Sequence, residues 1–189
     1  MALLVNAFFE ERVQQLFDLA DLAERIFSSA GLEYRIIGGV AVYLYVEERE
    51  PDAGRLTKDV DIAVRRADLD KIAAAAARFG LEYRHVAGVD MLVHPDQPSA
   101  RRAIHMVFAG EKVRPDAVEP TPELGSCRQI RGLRLIPVAD LIRMKLTSFR
   151  LKDQTHLKDL DEAGLITPEM EADLSTVLAE RLASVRAHT

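Results

Sequence analysis

The sequence predicts an α+β fold: an α/β core with a mixed β-sheet flanked by helices, followed by a mainly helical C-terminal third. Short β-prone runs alternate with helical patterns between residues 34 and 109. From Val138 onward the apolar spacing is helical, and no linker-like stretch divides the chain. We therefore expect 1–189 to form one compact unit, with an α/β core over 30–118 and a helical part over 119–189.

The first predicted elements are a helix, a strand and a second helix. Residues 8–29 carry apolar side chains at spacings of three and four, the pattern of an amphipathic helix, and Gly31 is expected to end it. Tyr34–Ile37 is a β-prone run, and the pair Gly38-Gly39 follows it directly. Val40–Val46 is apolar enough to be a buried helix. The pattern therefore predicts a strand, a diglycine turn and a helix in immediate succession.

The next segment predicts a loop, a strand and a helix. Residues 50–54 contain proline and glycine, which favours a loop. Lys58–Val64 alternates between polar and apolar side chains, so we expect a strand with Asp59 and Asp61 together on its polar face. Asp68 is the expected N-cap of an alanine-rich helix.

The remaining elements are two further strands and the C-terminal helices. Apolar runs predict one strand from Leu81–His85 with Met91–Val93, and the other at Ala103–Ala109. A helical pattern begins at Val138, and we expect a last helix from about Pro168 to Arg186.

Composition argues against membrane and secreted classes of protein. The net charge is −5, and the longest apolar run, Ile36–Val46, is much shorter than the ~20 residues of a membrane helix. The N-terminus lacks the basic segment of a secretory signal. One cysteine, Cys127, permits neither an intramolecular disulfide nor a cysteine zinc cluster. We therefore expect a cytoplasmic protein with no membrane partner.

The charge is unevenly distributed. Residues 123–160 carry eight basic and four acidic side chains within an acidic chain. Such a segment suits a small polyanion such as a nucleotide, whereas a nucleic-acid binder usually has a basic domain overall. The alternative is a solvated helix face that is rich in arginine and lysine.

The strongest candidate site combines the diglycine with the acid pair. Asp59 and Asp61 lie at positions i and i+2 of a predicted strand, so both carboxylates point the same way and can share divalent cations in phosphoryl transfer. Gly38 and Gly39 would let backbone N–H groups approach phosphate oxygens at a helix N-terminus. Taken separately, the acid pair is more simply explained as surface acids on an edge strand, and the diglycine as a tight turn. Their combination favours a site.

These motifs resemble the nucleotidyltransferase superfamily, which has the polymerase-β-like fold, and within it the AbiEii-like toxins and minor nucleotidyltransferases. The superfamily pattern is a hydrophobic residue before Gly-Gly or Gly-Ser and then Asp-hydrophobic-Asp, which here reads Ile37-Gly38-Gly39 and Asp59-Val60-Asp61. The helical segment from Leu135 to Leu160, which includes Lys145, resembles the helix pair that closes the nucleotide cleft in those proteins.

The resemblance implies a set of ligands and partners. Asp59 and Asp61 would bind Mg²⁺, with Mn²⁺ as an alternative, and an NTP would be the substrate. The residues implied in nucleotide binding are Gly38, Gly39, Thr57, Lys58 and Lys145. Lys145 has a second interpretation, because a lysine on an apolar helix turn can also extend its ammonium group to solvent.

One position departs from the superfamily pattern. Catalytic members carry a third carboxylate on a later strand, and the matching position here is His105. Histidine is a poor ligand for Mg²⁺ but is acceptable to manganese, zinc or nickel. Three interpretations follow: His105 is a substitute base, the site has lost full activity, or Asp90 supplies the missing carboxylate from the neighbouring strand.

Two functional hypotheses therefore come from the sequence. The first is a metal-dependent enzyme that transfers a nucleoside monophosphate from an NTP to a hydroxyl of a tRNA, a protein or a small molecule such as an aminoglycoside. The second is a nucleotide-binding or protein-interaction module of the same fold without turnover. The resemblance also implies a toxin with an antitoxin partner. The amphipathic first helix and the acidic last helix either pack on the core or form a homodimer contact.

Overall fold

The fold is taken from a computed structural model. The backbone is described for residues 2–51, 53–55, 57, 59–96 and 103–187, and side chains are described from residue 13 onward. Lys58, one of the predicted nucleotide-binding residues, lies outside the described residues. Within the described ranges, no helix is both long and apolar enough to cross a membrane.

The described chain alternates helices and strands before it becomes helical. The helices are α1 (Ala2–Ser29), α2 (Gly38–Arg49), α3 (Leu69–Ala77), α4 (Val138–Ser148), α5 (Leu151–Glu162), α6 (Pro168–Ala172) and α7 (Thr176–Ala187). The strands are β1 (Tyr34–Ile37), β2 (Val60–Val64), β3 (Glu82–Val86), β4 (Val89–Val93), β5 (Ile104–Phe108), β6 (Arg128–Ile130) and β7 (Leu133–Leu135). A single 3₁₀ turn, Arg66–Asp68, precedes α3.

The strands form one mixed sheet in the order β3-β4-β5-β2-β1-β7-β6. β2 pairs in parallel with β5, and β1 pairs in parallel with β7. The other neighbours are antiparallel. The predicted mixed sheet flanked by helices is therefore confirmed. At the centre of the sheet, β2 receives hydrogen bonds from both sides, which holds the residues at its start in place.

The hairpin of β6 and β7 was not predicted. Ile130 pairs with Leu133, so the loop has two residues, Arg131 and Gly132, and both have positive φ angles of 52° and 80°. That is the geometry of a type I′ turn, whose twist matches that of the flanking strands. The hairpin adds two strands to the sheet from the segment that the pattern assigned to the helical part.

The predicted last helix is interrupted. α6 and α7 take the place of a continuous helix over 168–186. Pro168 stands in the first turn of α6, where Thr167 accepts a hydrogen bond from the Met170 backbone N–H. Asp173 caps the C-terminus of α6, so a new helix has to start beyond it.

One continuous hydrophobic cluster extends from Leu16 in α1 to Val185 in α7. α2 contacts β1 and β2 on one side and α4 and α5 on the other. α7 in turn packs against α4 and α5. α2 therefore lies between the sheet and the C-terminal helices, which places the N-terminus of α2, at Gly38, next to both.

Candidate metal and nucleotide site

The acid pair and His105 lie together at the centre of the sheet. Asp59 precedes β2, and Asp61 is the second residue of that strand. The parallel register of β2 and β5 places Asp61 directly opposite His105. Nδ1 of His105 lies 3.5 Å from Oδ1 of Asp61 and 3.9 Å from Oδ2 of Asp59. The three side chains are half-buried, and their potential ligand atoms all lie within 4.8 Å of one another.

The diglycine turn packs directly on this acid pair. Gly38 has a φ of 68°, and a Cβ added to it would lie 2.8 Å from Cβ of Asp61 and clash with its carboxylate. A Cβ on Gly39 would lie 2.6 Å from Cβ of Thr57, whose hydroxyl donates to Oδ1 of Asp59 at 3.4 Å. Position 38 therefore requires glycine for two reasons: the positive φ angle disfavours other residues, and Asp61 leaves no space for a Cβ atom. The structure brings Gly38, Gly39 and Thr57 to the acid pair.

Lys145 is buried rather than solvent-exposed. The residue is 5% exposed, and its Nζ donates to Oδ1 of Asp153 at 3.1 Å. Burial lowers the pKa of Lys145, while the charges of Asp153 and then Asp61 oppose that shift. The interpretation of a lysine that extends to solvent is therefore wrong. The ammonium group is paired with a buried carboxylate, within electrostatic range of the acid pair.

Arg150 belongs to the same cluster, although the sequence reasoning assigned it no role. Its Nε donates to Oδ2 of Asp153 at 2.7 Å. That hydrogen bond raises the pKa of Arg150, and the charges of Asp61 and Asp59 raise it further. Burial would raise the pKa of Asp153, but the bond from Arg150 and the charge of Lys145 outweigh burial and hold that pKa far below its usual range. One carboxylate thus holds two cations beside the acid pair.

A strained turn presents Arg150 to the cluster. Phe149 ends α4 in the left-handed conformation, with a φ of 48°, which costs a bulky residue about 1–2 kcal/mol. Arg181 of α7 donates to the backbone oxygens of Leu146 and Thr147 at 2.7 and 2.8 Å, and its guanidinium lies 5.1 Å from the Phe149 ring centroid. These contacts hold the turn between α4 and α5 in place.

The same face of α5 carries two further polar residues. Nε of Arg55 lies 2.9 Å from Oδ1 of Asp159, which ties α5 to the loop that leads into the acid pair. Burial lowers the pKa of His156 to about 4, with the charge of Lys145 as the next cause. Asp153 and Asp159 are both buried, and each carboxylate is paired with a cation, Lys145 and Arg55 respectively.

Asp90 does not belong to this site. It pairs with Met106 in the antiparallel register of β4 and β5, so it points to the face of the sheet opposite His105. Its Oδ1 accepts from Tyr83 and lies 2.9 Å from Nδ1 of His85. The interpretation that Asp90 supplies the missing third carboxylate is therefore wrong.

The donor set is compatible with a divalent metal ion. Ligand atoms that surround an ion at about 2.0–2.2 Å lie roughly 3–4 Å from one another. Nδ1 of His105 already has that separation from both carboxylates, at 3.5 Å from Asp61 and 3.9 Å from Asp59. Two carboxylates and one imidazole on adjacent backbone segments can hold an ion from one side and leave its other side open.

Solved structures of similar fold include a nucleotidyltransferase-like protein and a polyadenylate synthase. An antigenic nucleotidyltransferase-like protein from Paracoccidioides brasiliensis is 16% identical, with a TM-score of 0.55 over 93% of this chain and 88% of that chain. The Megavirus polyadenylate synthase is 11% identical, with a TM-score of 0.55 over 87% of this chain and 36% of that chain. ANT(2'')-Ia in complex with adenylyl-2''-tobramycin is 16% identical, with a TM-score of 0.45 over 89% and 95% of the two chains. No protein-family model and no curated protein matches the sequence.

At these identities a structural comparison establishes the fold alone. The two structures with a TM-score of 0.55 extend over most of this chain, so the similarity includes the sheet and the helices that follow it. The chain therefore has the nucleotidyltransferase-like fold that its diglycine and acid-pair motifs predicted.

Proposed function

We propose that the protein is a metal-dependent nucleotidyltransferase, which transfers a nucleoside monophosphate from an NTP to a hydroxyl acceptor. The observation that carries the proposal is the pairing of two charged clusters beside the diglycine turn. Asp59 and Asp61 can hold a divalent ion, and Lys145 and Arg150 lie within electrostatic range of them. A triphosphate with its metal ion needs both kinds of charge in one place.

The residues have separate roles in this proposal. A divalent ion, when bound by Asp59 and Asp61, would neutralise charge on the triphosphate. Gly38 and Gly39 let the triphosphate approach the backbone at the N-terminus of α2, where N–H groups and the helix dipole favour anions. The acceptor oxygen bonds to the α-phosphorus, the bond from that phosphorus to the β-bridging oxygen breaks, pyrophosphate leaves, and the acceptor proton passes to water.

Arg150 and Lys145 are proposed to bind the phosphates. The carboxylate of buried Asp153 accepts hydrogen bonds from both Lys145 and Arg150 and holds each in one orientation, so neither side chain has to be ordered when the nucleotide binds. We expect Arg150→Ala to weaken NTP binding about tenfold or more, the loss of one charge-assisted hydrogen bond. The matched control is Lys152→Ala, which removes an exposed cation of the same helix and should leave NTP affinity unchanged.

The first experiment is calorimetric titration with ATP, GTP, CTP and UTP, with Mg²⁺ and then with Mn²⁺. Wild-type protein is compared with the Asp59→Ala/Asp61→Ala double variant. Binding that requires metal and disappears in the double variant supports the nucleotide site. If folded wild-type protein binds none of the four nucleotides, the proposal is wrong and the fold serves another purpose.

The second experiment measures turnover. Asp61→Asn should abolish pyrophosphate release while the protein stays folded, because the carboxylate is needed for charge neutralisation and not for packing. Asp90→Asn is the matched control, since it removes a carboxylate from the opposite face of the same sheet. Transfer at the wild-type rate by folded Asp61→Asn protein would contradict the proposal.

The classes of acceptor and the role as a toxin are proposed from the family resemblance. Incubation with α-labelled NTP, followed by separation of RNA, protein and small molecules, identifies which class carries the transferred nucleotide. An AbiEii-like toxin should arrest growth on expression, an antitoxin encoded nearby should relieve the arrest, and Asp61→Asn should be harmless. Growth that is equal for wild-type and variant proteins would exclude the toxin role.

A second candidate function is a module that binds nucleotide without turnover. The observation that favours it is His105, which lies opposite Asp61 where the resemblance expects a third carboxylate. This candidate predicts nucleotide binding without pyrophosphate release, and gain of release in His105→Asp. Loss of existing release in that variant would instead show that His105 serves the reaction.

A further inference from the structure

We propose that Asp59, Asp61 and His105 bind a transition-metal ion such as Mn²⁺ in preference to Mg²⁺, with Nδ1 of His105 as a direct ligand. This inference concerns the site of the proposed function and deepens it by naming the class of metal ion that the site selects. It depends on the geometry of three side chains and can be tested without nucleotide.

The backbone holds the imidazole in a ligating position. β5 lies between β2 and β4, so His105 is paired with Asp61 on one side and with Met91 on the other. Its side chain is 18% exposed, and Nδ1 is the ring atom that faces both carboxylates, at 3.5 and 3.9 Å. A strand that is paired on both sides cannot turn its side chain to the other face without losing register.

Ligand chemistry then decides between metal ions. Mg²⁺ requires near-ideal octahedral oxygen coordination and gives up water reluctantly. Mn²⁺, Co²⁺ and Zn²⁺ accept imidazole nitrogen as well as carboxylate oxygen. A carboxylate at position 105 would present oxygen and a negative charge, whereas His105 presents a neutral nitrogen when it ligates through Nδ1. Replacing one oxygen ligand by nitrogen therefore disfavours Mg²⁺ relative to the transition metals.

A second histidine–aspartate pair in the same sheet can be compared with the proposed metal site. His85 and Asp90 form a second imidazole–carboxylate pair, with Nδ1 and Oδ1 2.9 Å apart, on the opposite face of the sheet. The side chain of His85 is 56% exposed, and Asp90 already accepts a hydrogen bond from Tyr83. Among the described residues, the group of acids and histidines with metal-ligand spacing is that of Asp59, Asp61 and His105, and this pair does not belong to it.

The test uses full-length protein, freed of metal with a chelator, without nucleotide. Mn²⁺ binding is followed by the loss of the electron paramagnetic resonance signal of free Mn²⁺, and Mg²⁺ affinity is obtained by competition. We expect wild-type protein to bind Mn²⁺ and to show nitrogen-14 modulation of the bound ion in spin-echo spectra, the signature of direct imidazole coordination. His105→Asp should remove the modulation and lower the ratio of Mn²⁺ to Mg²⁺ affinity by about tenfold or more. His85→Asn should change neither.

Three results would overturn the inference. Absence of Mn²⁺ binding to wild-type protein means that the three side chains form no metal site. Bound Mn²⁺ without nitrogen modulation in the wild type means that His105 is not a ligand, whatever the variants do. An affinity ratio that is equal in wild type and folded His105→Asp means that the imidazole does not select the ion.

These outcomes are distinguishable from those of the proposed function. Nitrogen-coordinated Mn²⁺ in a protein that releases no pyrophosphate with any NTP would support the metal inference and contradict the transferase. Pyrophosphate release with Mg²⁺, together with bound Mn²⁺ that lacks nitrogen modulation, would support the transferase and contradict the inference.

Discussion

Asp153 is the residue whose replacement tests the architecture of the site most directly. It is fully buried, and it accepts hydrogen bonds from Lys145, Ser148 and Arg150 at 3.1, 2.6 and 2.7 Å. Asp153→Asn keeps the shape and one acceptor oxygen but removes the charge. Lys145, which is 5% exposed, is then buried without a counter-charge.

The expected loss of unfolding free energy follows from the exposure of the cation. Breaking a buried pair by removing one partner costs about 3–5 kcal/mol, whereas an exposed pair contributes about 1 kcal/mol or less. Asp153→Asn should therefore cost about 3–5 kcal/mol. The matched control is Asp159→Asn on the same helix. Its carboxylate is also buried, but its partner Arg55 is 63% exposed, so a loss of about 1 kcal/mol or less is expected.

The assay is urea unfolding at pH 7, with the double variant Lys145→Met/Asp153→Asn to complete a mutant cycle. The double variant leaves no buried ion without a counter-charge, because the side chain of Arg150, the other partner of Asp153, is 56% exposed. It should therefore lose less free energy than the sum of the single variants, by about 2 kcal/mol. Additive single losses, or equal losses for Asp153→Asn and Asp159→Asn, would refute the view that Asp153 compensates a buried ammonium group.

Three further outcomes follow from the structure. Gly38→Ala should abolish metal and nucleotide binding in titrations, whereas Gly80→Ala, also at positive φ but with no atom within 4 Å of the added Cβ, should cost only about 1–2 kcal/mol in urea unfolding. The pKa of His156 is about 4 when folded, below the unfolded value of about 6.5. Between these two pH values the unfolded chain therefore binds a proton that the folded chain does not. The free energy of unfolding should fall as the pH drops from 6.5 to 4, by roughly 1–2 kcal/mol after discounting for partial exposure. In urea unfolding at a series of pH values, the free energy of unfolding should depend less steeply on pH for His156→Leu than for wild type. Mn²⁺ at about 100 times its Kd should stabilise wild-type protein by about 2.7 kcal/mol in the same assay, and should not stabilise Asp59→Ala/Asp61→Ala.

The parts of the site that could be predicted are those that depend on local pattern. The β1–α2 unit was predicted because Tyr34–Ile37, two glycines and an apolar run follow one another directly. The shared direction of Asp59 and Asp61 follows from the two-residue period of a strand. The position of His105 beside them depends on the register of two strands that are more than 40 residues apart, and the sequence reached it through a family resemblance.

The β6–β7 hairpin could not be found by the same reasoning. Its strands have three residues each, which is too short for alternation to be distinguished from chance. The available signal was the dipeptide Arg131-Gly132, but arginine is not a residue that usually marks a type I′ turn. Ala87-Gly88, between β3 and β4, is a second turn of this kind, with φ angles of 50° and 77°.

The paired charges of the C-terminal helices were also beyond sequence reasoning. Arg55 and Asp159 are separated by 104 positions, and no spacing rule connects them. Hydropathy assigns an aspartate such as Asp153 to the surface, because unpaired carboxylates are rarely buried. An ion pair with a residue on another element allows the carboxylate to be buried, and no local sequence pattern indicates such an ion pair.

The burial of Asp153 is better explained by the site than by stability. A hydrophobic residue of similar volume in place of a buried ion pair is often neutral or stabilising, so stability alone does not favour this carboxylate. The Phe149 turn, which carries Arg150, is strained as well. The buried carboxylate and the strained turn together orient Lys145 and Arg150 within electrostatic range of Asp59 and Asp61 before any ligand binds. The proposed function would account for both costs, because a polyphosphate substrate with its metal ion requires preorganised cations near an acid pair, whereas helix packing alone requires neither cost.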